Sequence, residues 1–426
     1  MKETINKSQL IFSEEKLNYI VLSSVPILLI LLGFIIDKPR EIFEGLYKII
    51  LCQDVLLVDY LAVGGVGATL VNAGLTTLFC IIIMYVNNIT ITGPLIAAVI
   101  TVLGFSFMGK NIVNVWPIFI GGYLYAKFKK IELKNVLVPV FFVTTLAPVV
   151  TEIGLGLDLD YMISIPLAIF TGIIIGFIVT PMAGHMSKFH DGYNLYNIGF
   201  TGGVIGTIIA SLLRGFGFVI QTQSTLSTEY SIHMRNLLII ISLLYIIIGY
   251  FMNRNSFNGY SNIFKHSGRF LSDFIDRFGF GLALINMGIM GLISILYVIL
   301  AKGVFNGPVV AGIITVIAFS PFGKNPVNSI PIFIGVYIAA SLKVFDVSST
   351  SMIIAALFGT TLAPIAGAYG TIAGIFAGFL HVSVVSNIIG VHGGLSLYNN
   401  GFSGGVVAAI MAPILNTFFK SKREED

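Results

Sequence analysis

Two short polar units interrupt otherwise apolar sequence, and each places a lysine among asparagines. They are Gly109-Lys110-Asn111-Ile112-Val113-Asn114 and Gly323-Lys324-Asn325-Pro326-Val327-Asn328. A lysine at the centre of a bilayer costs ~2.5 to 3.5 kcal/mol, so it is expected to face a cavity or an interface. If the units dip into a membrane, Lys110 and Lys324 attract an anion and repel cations. The neutral hydrogen bonds of such a site would come from Asn111, Asn114, Asn325 and Asn328. If the units stay at the surface, the lysines extend to lipid headgroups.

A second recurring pattern places an asparagine two residues before a glycine, within or at the mouth of an apolar segment. It occurs at Asn72, Asn197, Asn286 and Asn399. A buried amide must find hydrogen-bond partners or lose its solvation free energy. The neighbouring glycines let a helix break or a second backbone approach closely. The pattern predicts either a solute pathway lined with amides or polar contacts that hold helices together.

Two more pairs of residues are candidates for chemistry. Pro148 and Pro364 each end a Thr-Thr-Leu-Ala-Pro sequence inside an apolar run, and proline frees a carbonyl one turn earlier in a helix. Such a carbonyl, beside threonine hydroxyls, coordinates a cation such as Na⁺ or a polar solute, or else the proline only kinks the helix. His190 and His392 precede two of the asparagine motifs and are candidates for a titratable gate, or for histidines satisfied at an interface. His381 and Glu152 have no partner of their type in the other half of the chain.

The elements that must position these residues are membrane-spanning helices. Of the 426 residues, 56% are hydrophobic and 10% are charged, whereas soluble domains are usually ~25% charged. Residues 347–419 contain no Lys, Arg, Asp or Glu. The basic residues behind the net charge of +4 are dispersed, so no nucleic-acid partner is predicted. The composition predicts an all-α, polytopic membrane protein.

The chain consists of two copies of one unit. Shifting the sequence by 214 residues aligns Gly93–Gly121 with Gly307–Gly335, and 18 of these 29 positions are identical. Offsets of 216 and 202 pair the two Thr-Thr-Leu-Ala-Pro sequences and the two Leu-Tyr-Asn sequences, respectively. We therefore divide the chain into repeats at residues 1–213 and 214–426, which share one bundle and are not independent domains.

Each repeat contains about seven apolar segments, most of them within the ~17 to 25 residues that a span needs. They lie roughly at 19–36, 64–86, 91–107, 112–126, 134–150, 161–182 and 195–213, and at 236–253, 278–301, 305–320, 326–341, 350–366, 370–388 and 397–418. An odd number inverts the second repeat relative to the first. This parity is kept if the two segments around each Gly-Lys-Asn unit form one re-entrant hairpin, but it is lost if only one of them is a half-span.

Loop charges predict the orientation. With the N-terminus in the cytoplasm and every segment crossing, the inside loops hold 16 of the 24 Lys and Arg residues, as the positive-inside rule requires. Both termini are then cytoplasmic. Residues 37–60 and 254–277 mix charged residues with apolar residues at helical spacing, which indicates either amphipathic helices at the membrane interface or structured linkers.

The segment Gly394–Gly401 resembles the Asn-Gly signature of the urea-transporter family, whose members are built of two inverted halves around a central pore. It departs from that signature because a residue separates Asn399 from Gly401, and because the expected Asn-Pro element occurs only as Asn325-Pro326. Through its G-K-N-x-V-N and L-Y-N-x-G-F motifs, the whole chain also resembles an uncharacterised bacterial family of multi-spanning membrane proteins, catalogued as a domain of unknown function. This second resemblance implies no activity.

We therefore predict a multi-pass protein of the cell membrane, a channel or transporter for a small polar or anionic solute, with its site where the inverted repeats meet. Its predicted partners are the solute and membrane lipid, with a coupling ion and a second copy of the chain as further candidates. One alternative is a symporter coupled to Na⁺ or H⁺. An intramembrane enzyme and a structural subunit are alternatives of other classes. The chain has no P-loop, Gly-x-Ser-x-Gly, His-Glu-x-x-His or cysteine-rich metal motif, so no cofactor or metal is predicted.

Overall fold

The computed structural model describes residues 7–54, 57–220, 224–270 and 272–421, and these residues form a helical bundle. Within these ranges, ten helical stretches are long and apolar enough to cross a membrane. The only β-type pairing in the described chain is an isolated bridge between Val58 and Thr225. The prediction of an all-α, polytopic membrane protein is confirmed.

The α-helices of the first repeat are α1 (Lys7–Ile36), α2 (Pro39–Leu51), α3 (Tyr60–Gly64), α4 (Val66–Val86), α5 (Gly93–Phe105), α6 (Trp116–Lys129), α7 (Lys134–Val143), α8 (Ala147–Thr151), α9 (Tyr161–Met186) and α10 (Asn197–Gly215). Those of the second are α11 (Ser231–Met252), α12 (Phe274–Phe278), α13 (Phe280–Leu300), α14 (Gly307–Ala318), α15 (Pro326–Leu342), α16 (Thr350–Gly359), α17 (Ala363–Tyr369), α18 (Thr371–His392) and α19 (Asn399–Phe418). Each of the seven apolar segments predicted in each repeat is helical.

Helices α5 and α14 lie side by side in the core and run antiparallel. Each begins with Gly-Pro after a capping residue, Thr92 or Asn306, whose side chain accepts a backbone hydrogen bond. A Cβ added to Gly93 would lie 2.3 Å from the carbonyl oxygen of Pro321, and one added to Gly307 would lie 2.6 Å from that of Phe107. The start of each helix therefore meets the end of the other, as two inverted repeats require.

A turn at residues 106–115 joins α5 to α6. Helix α6 runs back along α4, because the rings of Trp116 and Phe79 are 3.9 Å apart and Tyr123 lines one cavity with Asn87. We call residues 106–115, between α5 and α6, the first tip, and residues 319–325, between α14 and α15, the second tip. Lys110 and Lys324 are fully buried in these tips. The tips thus lie inside the protein, and the lysines do not extend to lipid headgroups.

The two ends of the bundle are distinguished by their loops. We call the end that carries residues 253–270, which follow α11, the linker face; Asp273 there accepts a hydrogen bond from the backbone N–H of Gly93. At the opposite face, the N–H of Asp59 donates to the carbonyl oxygen of Thr225. Asp59 and Asp273 are related by the 214-residue offset, so the repeat inversion places these equivalent residues at opposite ends.

The two segments of mixed charge have different structures. Residues 37–60 contain α2, which buries Ile42 and Ile49 and leaves Arg40 and Glu44 exposed, as an amphipathic interfacial helix would. Residues 254–277 form turns, a 3₁₀ helix at Tyr260–Lys265 and the start of α12. This second segment is a structured linker, because Gly259 and Gly268 have φ angles of 90° and 72°, which a continuous helix does not allow.

Candidate functional site

Each repeat places its Leu-Tyr-Asn sequence on a broken helix of the other repeat. The N–H of Leu397 donates to the carbonyl oxygen of Thr145 at 3.1 Å, and the N–H of Tyr398 donates to the Thr145 hydroxyl at 2.8 Å. The equivalent contacts in the other direction are Leu195 N–H to Thr361 O (3.0 Å) and Tyr196 N–H to Thr361 Oγ1 (2.9 Å). The two repeats therefore exchange equivalent segments across a pseudo-two-fold axis.

The broken helices result from the Thr-Thr-Leu-Ala-Pro sequences. A 3₁₀ turn at Thr144–Leu146 separates α7 from α8, and one at Thr360–Leu362 separates α16 from α17. Pro148 and Pro364 lie in the first turn of the helix that follows each break, where the missing N–H of proline is tolerated. The carbonyl oxygens of Thr145 and Thr361 at the breaks accept hydrogen bonds from the other repeat, so in this structure neither faces an open cation site.

The exchanged segments bring a tyrosine of each repeat to the lysine of the other. Lys324 Nζ donates to the Tyr196 hydroxyl at 2.5 Å and to the Thr360 hydroxyl at 2.7 Å. It also lies 4.5 Å from the ring centre of Tyr196 and 5.2 Å from that of Phe319. Both rings present their negative π faces to the ammonium group. The second tip thus holds its lysine in an aromatic and hydroxyl pocket.

The first tip repeats this arrangement with longer distances. Lys110 Nζ donates to the Tyr398 hydroxyl at 3.3 Å. It lies 5.1 Å from the ring centre of Tyr398 and 5.2 Å from that of Phe105. Phe105 in turn stacks on Phe358 at 5.3 Å. The two pockets therefore have lysine, phenylalanine and tyrosine in equivalent positions, related by the pseudo-two-fold axis.

Neither lysine has a negatively charged partner among the described residues. Arg40 pairs with Glu44 and Lys134 pairs with Glu132, and all four of these side chains are exposed. Hydroxyl oxygens and aromatic rings partly solvate an ammonium group but carry no net negative charge. Both lysines are therefore buried among neutral groups.

Two cavities adjoin these pockets. The rings of Tyr196 and Tyr398 are 6.5 Å apart, and a cavity of about 10 Å³ lies beside both rings, which is room for about one water molecule. A larger cavity of about 320 Å³ is also lined by both tyrosines and by Asn197, and it reaches Phe270 on the linker face. The larger cavity therefore adjoins the tyrosines of both pockets, although neither lysine lines it.

Asn72 and Asn286 hold the backbone of the two tips. The Asn72 side chain donates to the carbonyl oxygens of Ser106 and Lys110, both at 2.9 Å, and accepts from the N–H of Ile112 at 3.1 Å. The Asn286 side chain donates to the carbonyl oxygens of Ser320 and Lys324 at 3.0 and 2.7 Å. In this structure, these amides are engaged by the protein and position the turns that carry the lysines.

Asn197 and Asn399 are paired with the two histidines that the sequence singled out. Nε2 of His190 is 3.1 Å from Oδ1 of Asn197, and Nε2 of His392 is 2.9 Å from Oδ1 of Asn399. Nδ1 of each histidine is buried and has no hydrogen-bond partner in the described part of the chain. His381, which lacks a counterpart, pairs instead with Asn400 at 2.9 Å. The histidines thus lie behind the exchanged segments and do not contact the lysines directly.

The remaining asparagines cap the helical turns after the lysines. Asn111 and Asn114 exchange side-chain and backbone hydrogen bonds, and Asn325 and Asn328 do the same at the start of α15. The free amide groups of Asn111 and Asn114 donate to the carboxylate of Asp54 at 3.3 and 3.0 Å. The side-chain oxygens of Asn111 and Asn114 accept hydrogen bonds from backbone N–H groups, so they are not available to a solute in this structure.

Three residues of the candidate site were not singled out by the sequence patterns. Tyr196 and Tyr398 follow from the 202-residue offset, which marks them as equivalent but does not show that they reach the lysines. Asp54 has no such signal, because the 214-residue offset pairs it with Gly268. The missing repeat partner is the one sequence feature that could have drawn attention to Asp54.

The comparison with protein families fits this repeat structure. The family described as "Protein of unknown function (DUF1576)" matches residues 38–215 and again residues 252–417. The chain belongs to this family. The two matched segments correspond to the two repeats, and the predicted membership in a multi-spanning family of unknown function is confirmed. No curated protein and no solved structure matches the chain, so the resemblance to urea transporters stays a prediction from the Asn-Gly segment.

Proposed function

We propose that this protein is a membrane channel or transporter for a small anionic solute, which it binds between Lys110 and Lys324 where the inverted repeats meet. One observation carries the proposal. Both lysines are fully buried, and neither forms an ion pair among the described residues. Buried charges in proteins are normally paired, so two unpaired ammonium groups in equivalent pockets favour a negatively charged solute.

The hydrogen-bonding groups of the two pockets support the same conclusion. An ammonium group has three donors, and Lys324 uses two of them on Tyr196 and Thr360. Lys110 uses one on Tyr398. A tyrosine hydroxyl that accepts from lysine still has its own O–H to donate. The unused donors of lysine and tyrosine would face an anion, whereas a cation would be repelled.

The volumes of the two cavities limit the size of the solute and indicate its route. The space beside Tyr196 and Tyr398 holds about one water molecule, while the cavity on the linker face has about 320 Å³. We propose that a small anion enters from the linker face and passes when the tyrosines move apart. The pairs of His190 with Asn197 and His392 with Asn399 lie directly behind these segments, and they are the candidates for controlling this movement.

The test is flux through liposomes that contain the purified protein. The panel consists of chloride, nitrate, phosphate and bicarbonate, with urea and glycerol as neutral solutes. We expect anion flux in the wild type, and a loss of about tenfold or more in Lys110→Gln and Lys324→Gln, since about 1.4 kcal/mol of lost binding free energy is tenfold. Lys302→Gln, at an exposed lysine, is the matched control and should retain wild-type flux.

Two results would contradict the proposal. One is a correctly folded wild type that carries none of the anions. The other is anion flux that survives unchanged in the double variant of Lys110 and Lys324. Equal flux of urea and anions, unaffected by either substitution, would instead support a neutral solute pathway.

A further inference from the structure

Asp54 is a fully buried acid that holds the first tip. It lies between α2 and α3, and its Oδ1 accepts from the Tyr60 hydroxyl at 2.6 Å. Its Oδ2 accepts from Asn111 Nδ2 at 3.3 Å, Asn114 Nδ2 at 3.0 Å and the Thr151 hydroxyl at 3.0 Å. Four neutral donors therefore surround the carboxylate, and two of them belong to the turn that follows Lys110.

The composition of this environment favours a proton over a metal ion. The amide oxygen of Asn111 accepts from the backbone N–H groups of Val113 and Asn114, and that of Asn114 accepts from the N–H of Asn111. Both amides therefore turn their donors, not their oxygens, toward Asp54. A metal ion needs several oxygen ligands, whereas a proton needs only the carboxylate itself.

The second tip has no acid in the equivalent place. Gly268 takes the position of Asp54 under the 214-residue offset, and a Cβ there would lie 1.9 Å from the carbonyl oxygen of Gly323. Asn325 and Asn328 donate instead to the carbonyl oxygens of Ile263 and Ser267 at 3.4 and 3.2 Å. Backbone carbonyls do not titrate near neutral pH, so no protonatable acid holds Asn325 and Asn328 of the second tip in the way that Asp54 holds the first.

The titratable groups around Asp54 are few. Burial raises the pKa of the Asp54 carboxyl to about 7, against the hydrogen bonds from Tyr60, Thr151 and Asn114, which lower it. Burial also raises the pKa of the Tyr60 hydroxyl well above its usual value, and it raises the pKa of the Cys52 thiol to about 12, with the Asp54 charge adding to both shifts. The ammonium group of Lys110, on the same tip, is directed to Tyr398. Burial also lowers the pKa of the Lys110 ammonium group to about 7, so Asp54 and Lys110 both change charge near neutral pH.

Asp59, the next acid along the chain, accepts hydrogen bonds from the backbone N–H groups of Leu61 and Ser227, and burial raises the pKa of its carboxyl. Glu152, directly after Thr151, is another buried acid. Its carboxylate lies against its own turn, since a Cβ on Gly156 would be 2.5 Å from Glu152 Oε2. Within the described residues, Oε2 has no hydrogen-bond partner, and no tip asparagine contacts this side chain. Glu152 therefore serves as a matched control for a buried acid that does not hold the tip.

We propose that Asp54 binds the proton that accompanies the anion, so that this protein is a proton–anion symporter. The inference rests on the proposed function. A proton added to the carboxylate converts it to a neutral carboxyl group, which accepts fewer of the four hydrogen bonds and carries an O–H of its own. The first tip loses one negative charge, and Lys110 attracts an anion more strongly. Binding is reciprocal, so the bound anion also favours the proton.

Proteoliposomes with an imposed pH gradient test the coupling. The probe is the anion among chloride, nitrate and phosphate that the wild type carries fastest. If one proton moves with one monovalent anion, a gradient of one pH unit supports about tenfold accumulation, because each tenfold ratio is about 1.4 kcal/mol. We expect accumulation in the wild type and in Glu152→Gln. Asp54→Asn should equilibrate the anion without accumulating it.

The two proposals fail in different ways. Anion flux that does not respond to pH, or accumulation that persists in Asp54→Asn, overturns the proton site and leaves the anion pathway standing. If the wild type carries no anion, infrared spectroscopy of the purified protein tests whether Asp54 binds a proton near neutral pH. A carboxyl C=O band that titrates near neutral pH must be lost in Asp54→Asn and kept in Glu152→Gln, and a spectrum that Asp54→Asn leaves unchanged overturns the proton site.

Tyr60→Phe provides a second variant if Asp54→Asn does not fold. It removes the hydroxyl that donates to Asp54 Oδ1 at 2.6 Å, and that bond favours the ionised form. The titration midpoint of the carboxyl band and of anion uptake should both move to higher pH. Midpoints that stay at the wild-type pH overturn the proposal.

Discussion

The Tyr196 hydroxyl of the first repeat accepts a hydrogen bond of 2.5 Å from Lys324 of the second repeat. The equivalent hydrogen bond, from Lys110 to Tyr398, is 3.3 Å long. Each ammonium group is therefore held by a side chain from the other repeat. Lys324 also has Thr360 as a partner, so the two equivalent pockets are not identical. Any movement of one repeat against the other changes the surroundings of both lysines together.

Removing the tyrosine hydroxyls should weaken anion transport. Hydrogen bonds to charged groups contribute about 1.5 to 3 kcal/mol, so we expect Tyr196→Phe and Tyr398→Phe each to lower anion flux by about tenfold or more. The aromatic ring is kept, so folding should not change. Liposome flux measures the effect, and Tyr161→Phe, at a tyrosine that is 68% exposed, is the control. Wild-type flux in both pocket variants would exclude the hydroxyls from the pathway.

The amides that hold the tips should matter for stability. Asn72→Ala leaves the carbonyl oxygens of Ser106 and Lys110 without this donor, and each buried unsatisfied group costs about 1 to 3 kcal/mol. We expect Asn72→Ala and Asn286→Ala to lower the thermal unfolding midpoint in detergent. Asn87→Ala, at an exposed position at the end of α4, should leave it unchanged. An unchanged midpoint in the tip variants would show that the tips are held by other contacts.

The sequence was sufficient for the repeat and the seven segments of each half, while it left open whether the two lysines are buried or at the surface. It was sufficient because each of these is a local pattern or a repeated one. The sequence did not decide the arrangement of α5 and α6, because segments this short allow either a crossing or a re-entrant loop. The difference between α2 and the linker at 254–277 depends on the positive φ angles of Gly259 and Gly268, and composition does not reveal these.

The contacts within the candidate site could not be predicted from the sequence, for a different reason. Tyr398 and Lys110 are 288 residues apart in the chain, and the repeat offset says which residues are equivalent but not which of them touch. Asp54 is one of five acids in the mixed-charge segment 37–60, and its partners Asn114 and Thr151 are 60 and 97 residues away. The asparagines were predicted as polar groups in the interior, but their hydrogen bonds with the backbone follow from folding alone.

Stability should depend on pH through Asp54. Its pKa is raised to about 7 in the folded protein from an ordinary value of 3.8. The carboxyl therefore contributes its full stability below pH 3.8, and this contribution is lost as the pH rises through 7, at about 1.4 kcal/mol per unit of pKa difference. We expect the unfolding midpoint of the wild type to fall between about pH 4 and 7 more than that of Asp54→Asn. Parallel curves would contradict the raised pKa.

The contact between α5 and the second tip should not tolerate a side chain at Gly93. A Cβ there would lie 2.3 Å from the carbonyl oxygen of Pro321, which is backbone and has little freedom to move. We expect Gly93→Ala to lose most of its folded protein, as measured by size-exclusion chromatography in detergent. Gly184→Ala, where a Cβ would meet nothing within 4 Å, is the matched control. Full recovery of Gly93→Ala would require a looser packing of α5 against the second tip.

The difference between Asp54 and Gly268 depends on the two repeats being joined in one polypeptide. Two identical half-length chains, inserted in opposite directions and paired, would carry the same residue at both tips, so both would hold an acid or neither would. Once a gene duplication joins them end to end, a substitution reaches one copy and spares the other. The fused gene is therefore what allows a protonatable group to evolve on one side of a pseudosymmetric interior while the opposite side keeps its glycine.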